Sequence, residues 1–256
     1  MSQQGKSKTA QWAGERGRDA FWRDAKAFGW RSRAAYKLVA IDDSFRILKP
    51  GFCVVDLGCA PGGWAQVLAR RCLINKTEAI GKTANKTADG KSPGKTETGG
   101  GKSEKSGGKS IGNNKSGMVV GVDLSVVDAV DGVVFVCGDF LHAEVVDEVR
   151  GLIAAGHHHP AADVVVSDMS PNLSGIAVRD QSNAATLARA AMDFAAQVLK
   201  PGGAVVVKCF EGEEFGALRA RARREYRKVA VFRPPATKTK SREVYIVGRG
   251  FFAIGG

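Results

Sequence analysis

Residues 54–64 read VVDLGCAPGGW. A short apolar run ends in an acid, Asp56, and passes into a turn carrying Gly58, Gly62 and Gly63. The WAQVLARRCL segment that follows, 64–73, has helical spacing. Strand, glycine turn and helix form the unit on which parallel α/β sheets are built. Glycines there let the backbone turn sharply and approach a ligand closely.

The same alternation continues on both sides. RSRAAYKL (31–38) predicts a helix before the first strand. MVVGVDL (118–124), VVFVCGDF (133–140), DVVVSD (163–168) and AVVVKCF (204–210) predict four more strands. AEVVDEVRGLIAA (143–155), SNAATLARAAMDFAAQVL (182–199) and EEFGALRARARREY (213–226) predict helices between them. Lys200-Pro201-Gly202-Gly203 reads as a helix stop and a turn. KVAVFRP (228–234) and EVYIVGRGF (243–251) are joined by a link too short for a helical crossover, which predicts an antiparallel hairpin at the sheet's end. Continuous apolar strands separated by helices indicate a mostly parallel sheet of seven strands, covered on both faces. The strand order is not set by these patterns.

Residues 76–117 interrupt this order. Each of nine lysines there precedes Ser or Thr, and the only large aliphatics are Ile80 and Ile111. Such a composition cannot bury enough apolar surface to offset its ordering entropy, so a disordered surface insertion is expected. Its GKS and GKT strings lack the glycine five positions earlier that a phosphate loop needs. The net charge is +12; nine lysines against four acids account for +5 in the tract and leave +7 elsewhere. A basic balance of this size favours a polyanionic partner. Five cysteines without a CxxC pair argue for buried thiols rather than a disulfide or zinc framework. His157, His158 and His159 are adjacent and cannot easily share one metal, so no metal is expected. No apolar run is long enough to span a bilayer and no secretory leader is visible, so a cytoplasmic location is expected.

The turn at 58–63 suits a nucleotide-like ligand. Asp123 ends the second strand, where an acid can accept hydrogen bonds from ribose hydroxyls. It follows Gly63 by 60 residues, or 18 without the tract, against roughly 20 in nucleotide-binding units. Asp139, ending the third, could accept from an adenine amino group. The glycines do not fit GxGxxG, and Pro61 removes an amide that could serve a pyrophosphate. Three readings stay open on the loop alone: S-adenosylmethionine, which has no phosphate to cradle, a dinucleotide, and a turn with a structural role only.

Four further residues mark the expected rim: Lys37 on the first helix, Asp168 and Lys208 at the ends of the fourth and fifth strands, and Glu243 at the start of the last. A lysine at a strand end commonly snorkels to solvent. The joint occurrence of SRAAYKL, VVDLGCAPGGW, SDMSPNLSG, LKPGG with VVVK, and SREVYIV, in this order, resembles the RrmJ/FtsJ family of ribosomal RNA 2′-O-methyltransferases. The resemblance spans about 31–247 without the tract. It implies a Rossmann-like S-adenosylmethionine-dependent methyltransferase domain over 31–256, with 1–30 as a basic, aromatic extension. It implies a catalytic set of Lys37, Asp168, Lys208 and Glu243, and cofactor contacts at Gly62, Trp64, Asp123, Asp139 and Asp168; Asp56, Gly58 and Gly63 join these from the loop reading. The tract is the main departure from the family pattern and leaves the motifs intact. Transfer to a hydroxyl needs a proton acceptor, for which Lys208 is the candidate. A lysine accepts a proton only in its neutral form, which desolvation or a second cation favours.

The implied substrate is a uridine of large-subunit ribosomal RNA, with the protein acting as a monomer. Arginines cluster at Arg16, Arg18, Arg23, Arg31 and Arg33, interleaved with Trp12, Phe21, Trp22, Phe28 and Trp30. A second group is Arg219, Arg221, Arg223, Arg224, Arg227, Lys238, Lys240 and Arg242. Phosphate contacts combined with aromatic stacking suit structured RNA. The competing readings are an NAD-dependent oxidoreductase, a non-catalytic RNA-binding protein of this fold, and a 2′-O-methyltransferase acting on transfer RNA or a messenger RNA cap.

Overall fold

The computed structural model describes residues 20–73, 117–171, 177–239 and 241–252. Helices α1 (Ala20–Ala27) and α2 (Ala35–Phe45) precede strand β1 (Cys53–Leu57) and helix α3 (Gly63–Cys72). After the tract come β2 (Met118–Asp123), β3 (Val133–Cys137), α4 (Ala143–Gly156), β4 (Ala162–Ser167), α5 (Ala177–Val198), β5 (Leu199–Phe210), α6 (Phe215–Glu225), β6 (Tyr226–Phe232) and β7 (Glu243–Phe251). One sheet holds all seven strands in the order β3-β2-β1-β4-β5-β7-β6. The pairs from β3 to β5 are parallel, and β7 runs antiparallel to both β5 and β6. The expected hairpin therefore forms, and its second strand lies inside the sheet, against β5.

Alternate residues along the central strands divide the core into two layers. Val55, Val120, Val165, Val205 and Ile246 pack with Val149, Ile153, Met192 and Leu218 of α4, α5 and α6. Val54, Val119, Val164, Val206 and Val247 pack with Leu38, Ile41, Trp64 and Leu68 of α2 and α3. Apolar side chains on both faces explain why these strands read as unbroken runs rather than alternating ones.

Four features differ from the expectation. Residues 200–203 belong to β5: Leu199 pairs with Ala162 before a register shift, and Gly202 takes the positive φ of +84° that bends the strand. Helix α5 starts at Ala177, five residues before Ser182. Residues 20–27 of the supposed extension form α1, whose Phe21 ring meets Tyr36 of α2 at 5.7 Å. Cys137 is exposed, whereas the other four cysteines are buried; burial pushes the thiols of Cys53, Cys72 and Cys209 up to about 12.

The tract lies outside the described residues except for Gly117, but its roots are placed. The Gly51 amide donates to the Cys72 carbonyl at 2.8 Å and the Met118 amide to the Phe52 carbonyl at 3.0 Å. Both roots stand where β1 and β2 begin, opposite the strand ends that carry Asp123 and Asp168.

The same lower edge is tied by Asp163, which is buried. Its Oδ2 accepts the Cys53 amide at 2.8 Å, and its Oδ1 pairs with Lys200 at the start of β5. Asp163→Ala leaves an amide unpaired in the core and strips Lys200 of its partner, which costs about 2–4 kcal/mol. Urea denaturation reads this directly, and an unchanged midpoint would show that the tie carries no stability.

Candidate active site

The β5–β7 register brings the rim residues together. Lys208 pairs with Tyr245 and Phe210 with Glu243, so Lys208, Tyr245 and Glu243 share one neighbourhood. Asp168 enters from the adjacent strand end, and α2 delivers Lys37 from above. Lys37 Nζ lies 2.7 Å from Glu243 Oε1 and 3.5 Å from Asp168 Oδ1. Lys208 Nζ lies 3.1 Å from Asp168 Oδ1 and 3.4 Å from Glu243 Oε2, and donates to the Asp168 carbonyl at 3.2 Å. Two amines and two carboxylates thus converge at one point, with Lys37, Lys208 and Glu243 each at most 9 % exposed.

Tyr245 was not singled out from the sequence. Its hydroxyl donates to Asp168 Oδ1 at 2.5 Å and lies 3.1 Å from Glu243 Oε1. Glu243 and Tyr245 stand two apart on a strand, hence on one face, and that spacing was the available signal. Burial and the two carboxylates push the Tyr245 phenol far above its ordinary value, so it stays a donor. Burial alone would raise the Glu243 carboxyl, but Lys208 and Lys37 outweigh it and hold the group below the usual range.

Beside this cluster is a cavity of about 600 Å³, bounded by Gly58 and Ala60, by Asp123 and Leu124, by Asp139, and by Asp168 with Met169. The Ala60 amide donates to Asp123 Oδ2 at 2.9 Å and the Ser125 amide to Oδ1 at 2.8 Å, which fixes the carboxylate at the wall. Asp139 Oδ1 accepts the Leu141 amide at 3.0 Å. Gly58 has φ +70°, and a Cβ there would fall 2.2 Å from Met169 Cγ, so the loop needs glycine at this point.

Other expected contacts sit elsewhere. Trp64 is buried in the core, donates its indole N–H to the Ala34 carbonyl at 2.7 Å and packs on the Tyr245 ring. Cβ atoms at Gly62 and Gly63 would fall 2.7 Å from the Arg31 guanidinium and 2.3 Å from Ser32 Oγ. Those two glycines therefore admit the chain before α2. Asp56 is fully buried within β1 and does not line the cavity. Its Oδ2 has no hydrogen-bond partner among the described residues, and burial, with the charges of Asp168 and Asp123, raises its carboxyl well above the ordinary value.

Two arginines expected on RNA are committed internally. Arg31 donates to the carbonyls of Pro61 at 3.3 Å, Asp128 at 2.6 Å and Ala129 at 2.6 Å, bridging the two loops that bound the cavity. Arg33 donates to the Ala236 carbonyl, and burial lowers its pKa against the pull of Glu243. Arg221 is likewise paired, with Asp193 and Glu225, whereas Arg219, Arg223 and Arg224 are exposed. Residues 1–19 and Lys240 lie outside the described residues. No group of three metal-ligating side chains occurs among the described residues, and no helix of theirs is long and apolar enough to cross a membrane.

Comparison with known proteins gives one direction. The FtsJ-like methyltransferase family matches residues 30–251. Proteins named ribosomal RNA large subunit methyltransferase E are similar throughout. That of Marinobacter nauticus is 36 % identical over 240 residues, covering 94 % of each chain. That of Variovorax paradoxus is 36 % identical over 255 residues, covering 99 % of this chain and 98 % of its own. A solved structure from Plasmodium falciparum, assigned there as a ribosomal RNA methyltransferase, shares the fold with a TM-score of 0.62 at 24 % identity, covering 87 % of this chain and 98 % of its own.

The buried Asp56 carboxyl yields a pH test. A raised folded-state pKa gives stability that is full below the unfolded value and is lost as pH rises through the folded one. Asp56→Asn removes that loss. The variant should match the wild type near about pH 4 and be more stable at about pH 8, by roughly 1–3 kcal/mol. Thermal denaturation at both pH values checks it, and a variant less stable at the higher pH contradicts the assignment.

Proposed function

This chain belongs to the FtsJ-like methyltransferase family, and on that premise we propose that it methylates the 2′-hydroxyl of a ribose, a uridine, in large-subunit ribosomal RNA. The proposed methyl donor is S-adenosylmethionine. The observation that carries the reading is the meeting of Lys37, Asp168, Lys208 and Glu243 around one point beside a cavity walled by Asp123 and Asp139.

The cavity fits the donor's parts. It holds carboxylates for ribose hydroxyls and an amino group, apolar surface from Leu124 and Met169 for a purine, and no cation among its lining residues to repel a sulfonium. Asp123 would hold the ribose, Asp139 the adenine amino group, and Asp168 the positive end. When bound, the donor supplies an electrophilic methyl group on a sulfonium that needs no further activation.

The chain's task is to aim and deprotonate the hydroxyl. Lys208, an ammonium beside the two carboxylates, must first give up a proton, which Lys37 and the positive charge of an incoming donor would favour. Its neutral Nζ would then take the hydroxyl's proton as the oxygen accepts the methyl group, the carbon–sulfur electron pair leaving with the donor. Lys37 is the second cation, and Glu243 at 2.7 Å fixes its position. Asp168 orients Lys208, and Tyr245 keeps Asp168 from rotating away by bonding the same oxygen. Holding the nucleophile and the acceptor in line supplies much of the rate.

Lys208→Ala should lower methyl transfer to unmodified large ribosomal subunits by about 10²–10⁴-fold, the range for a lost general base. Binding of S-adenosylhomocysteine should survive, because Lys208 does not line the cavity. Labelled donor followed by nuclease mapping reads both the yield and the position of the methyl group, and a fully active variant would remove Lys208 from the mechanism. Arg31→Ala unties the two cavity loops, so it should weaken S-adenosylhomocysteine binding about tenfold or more while turnover at saturating donor changes little. Calorimetry on the variant decides this, and an unchanged affinity would reduce Arg31 to a packing residue.

A further inference from the structure

The loop between β5 and α6 bounds a second cavity, of about 310 Å³, with no part in the reaction as described so far. Phe210 and Gly212 form one wall, Gln181 and Ser182 at the start of α5 another, and Leu218 contributes apolar floor. Phe210 links the cavity to the catalytic cluster: Lys208 Nζ lies 6.0 Å from the centre of its ring. A group bound here is therefore a near neighbour of the hydroxyl that Lys208 would deprotonate.

The lining decides which chemistry fits. Glu214 is one of its walls and no lysine or arginine is. The Glu214 carboxylate is held by the Arg189 guanidinium at 2.5 Å, and that hydrogen bond keeps it below the ordinary carboxylate range. A phosphate would meet like charge here. An open cavity at the loop between β6 and β7 is lined by Glu211, Arg233 and Arg242; Arg233 already donates to the carbonyls of Lys238, Thr239 and Ser241, which leaves Arg242 as its cation for a phosphate. An aromatic ring and an amide with both donor and acceptor, beside a Ser182 hydroxyl bonded to Glu214, suit a flat, neutral, hydrogen-bonding group. Gly212 preserves that arrangement. A Cβ there would fall 2.9 Å from Gln181 Oε1 and push the amide aside.

We propose that this cavity receives a nucleobase of the RNA strand beside the methylated ribose, stacked on Phe210 and hydrogen-bonded by Gln181. The inference rests on the RNA ribose reading above and adds to it the surface that seats the strand. A base held at this distance from Lys208 would hold its sugar in register with the proton acceptor, which the charged cluster alone does not do.

The test uses the full-length protein with Phe210→Ala, Phe210→Trp and Gln181→Ala. Three quantities are read for each: the KM for unmodified ribosomal RNA, RNA affinity by fluorescence anisotropy, and S-adenosylhomocysteine affinity by calorimetry. The alanine variants should raise the RNA KM and Kd about 5- to 100-fold, the range for a lost base stack. S-adenosylhomocysteine affinity and melting temperature should stay at wild-type levels, and Phe210→Trp should restore RNA binding. Wild-type RNA affinity in both alanine variants overturns the proposal. So does a parallel fall in S-adenosylhomocysteine affinity and melting temperature, which would make the cavity a structural feature. A wild-type protein that binds the RNA yet transfers no label defeats the methylation reading alone, and the anisotropy measurements still decide the base subsite.

Discussion

Two ammonium groups and two carboxylates can be buried together only when every charge meets an opposite one at hydrogen-bonding distance. Asp168 Oδ1 is the point where that condition is met. It is approached by Lys37 at 3.5 Å, Lys208 at 3.1 Å and the Tyr245 hydroxyl at 2.5 Å. The requirement reaches far into the fold. Helix α2 must dock where Lys37 can arrive, and β4 must end beside β5. The last strand must lie directly against β5, so that Tyr245 stands across from Lys208 and Glu243 across from Phe210, two residues on. A hairpin that merely extended the sheet with β6 next to β5 would leave Lys208 and Asp168 without the second carboxylate.

The cavity next to this cluster is held together by a different means. Charged side chains bound to backbone groups anchor its loops: Arg31 gathers three carbonyls under one guanidinium, and Asp123 accepts the amides of Ala60 and Ser125. Because Arg31 precedes α2 by a few residues, the element that carries Lys37 also braces the cavity. Gly62 and Gly63 serve that brace, since a side chain at either would collide with residues 31 and 32. The inserted tract leaves from the opposite edge of the sheet, so its roots do not crowd either the cluster or the cavity.

Much of this was legible in the chain. Apolar runs bounded by glycine and charged residues located all seven strands; the central ones read as unbroken runs because strands buried on both faces cannot tolerate polar positions, whereas β3 and β6 at the sheet's edges are partly exposed. Lys208 stood out because a lysine at the end of an apolar strand is unusual; the grouping of Lys37, Asp168, Lys208 and Glu243 as one set came from the resemblance to the RrmJ/FtsJ family. Other features were not legible, for identifiable reasons. Residues 200–203 look like a turn and lie within β5 as the irregularity between the Leu199–Ala162 and Ala204–Val164 pairs, where Gly202 takes a positive φ. Arg31 and Arg33 look like RNA ligands because a cation's internal partners are carbonyls, which carry no sequence signal. Trp64 lies beside the glycine turn in sequence but packs in the core, and Cys137 lies in an apolar run yet faces solvent.

The sequence by itself determined the class of fold, the kinds of charged residue at the strand ends and the place where an insertion could be tolerated. These follow from periodicity, glycine placement and composition, which act over a few residues. Tertiary structure alone decided the strand order, the β5–β7 register, the part of Tyr245 and the division of arginines between internal clamps and surface. Each of those depends on atoms far apart in the chain meeting within hydrogen-bonding distance, and only the packed molecule sets such distances.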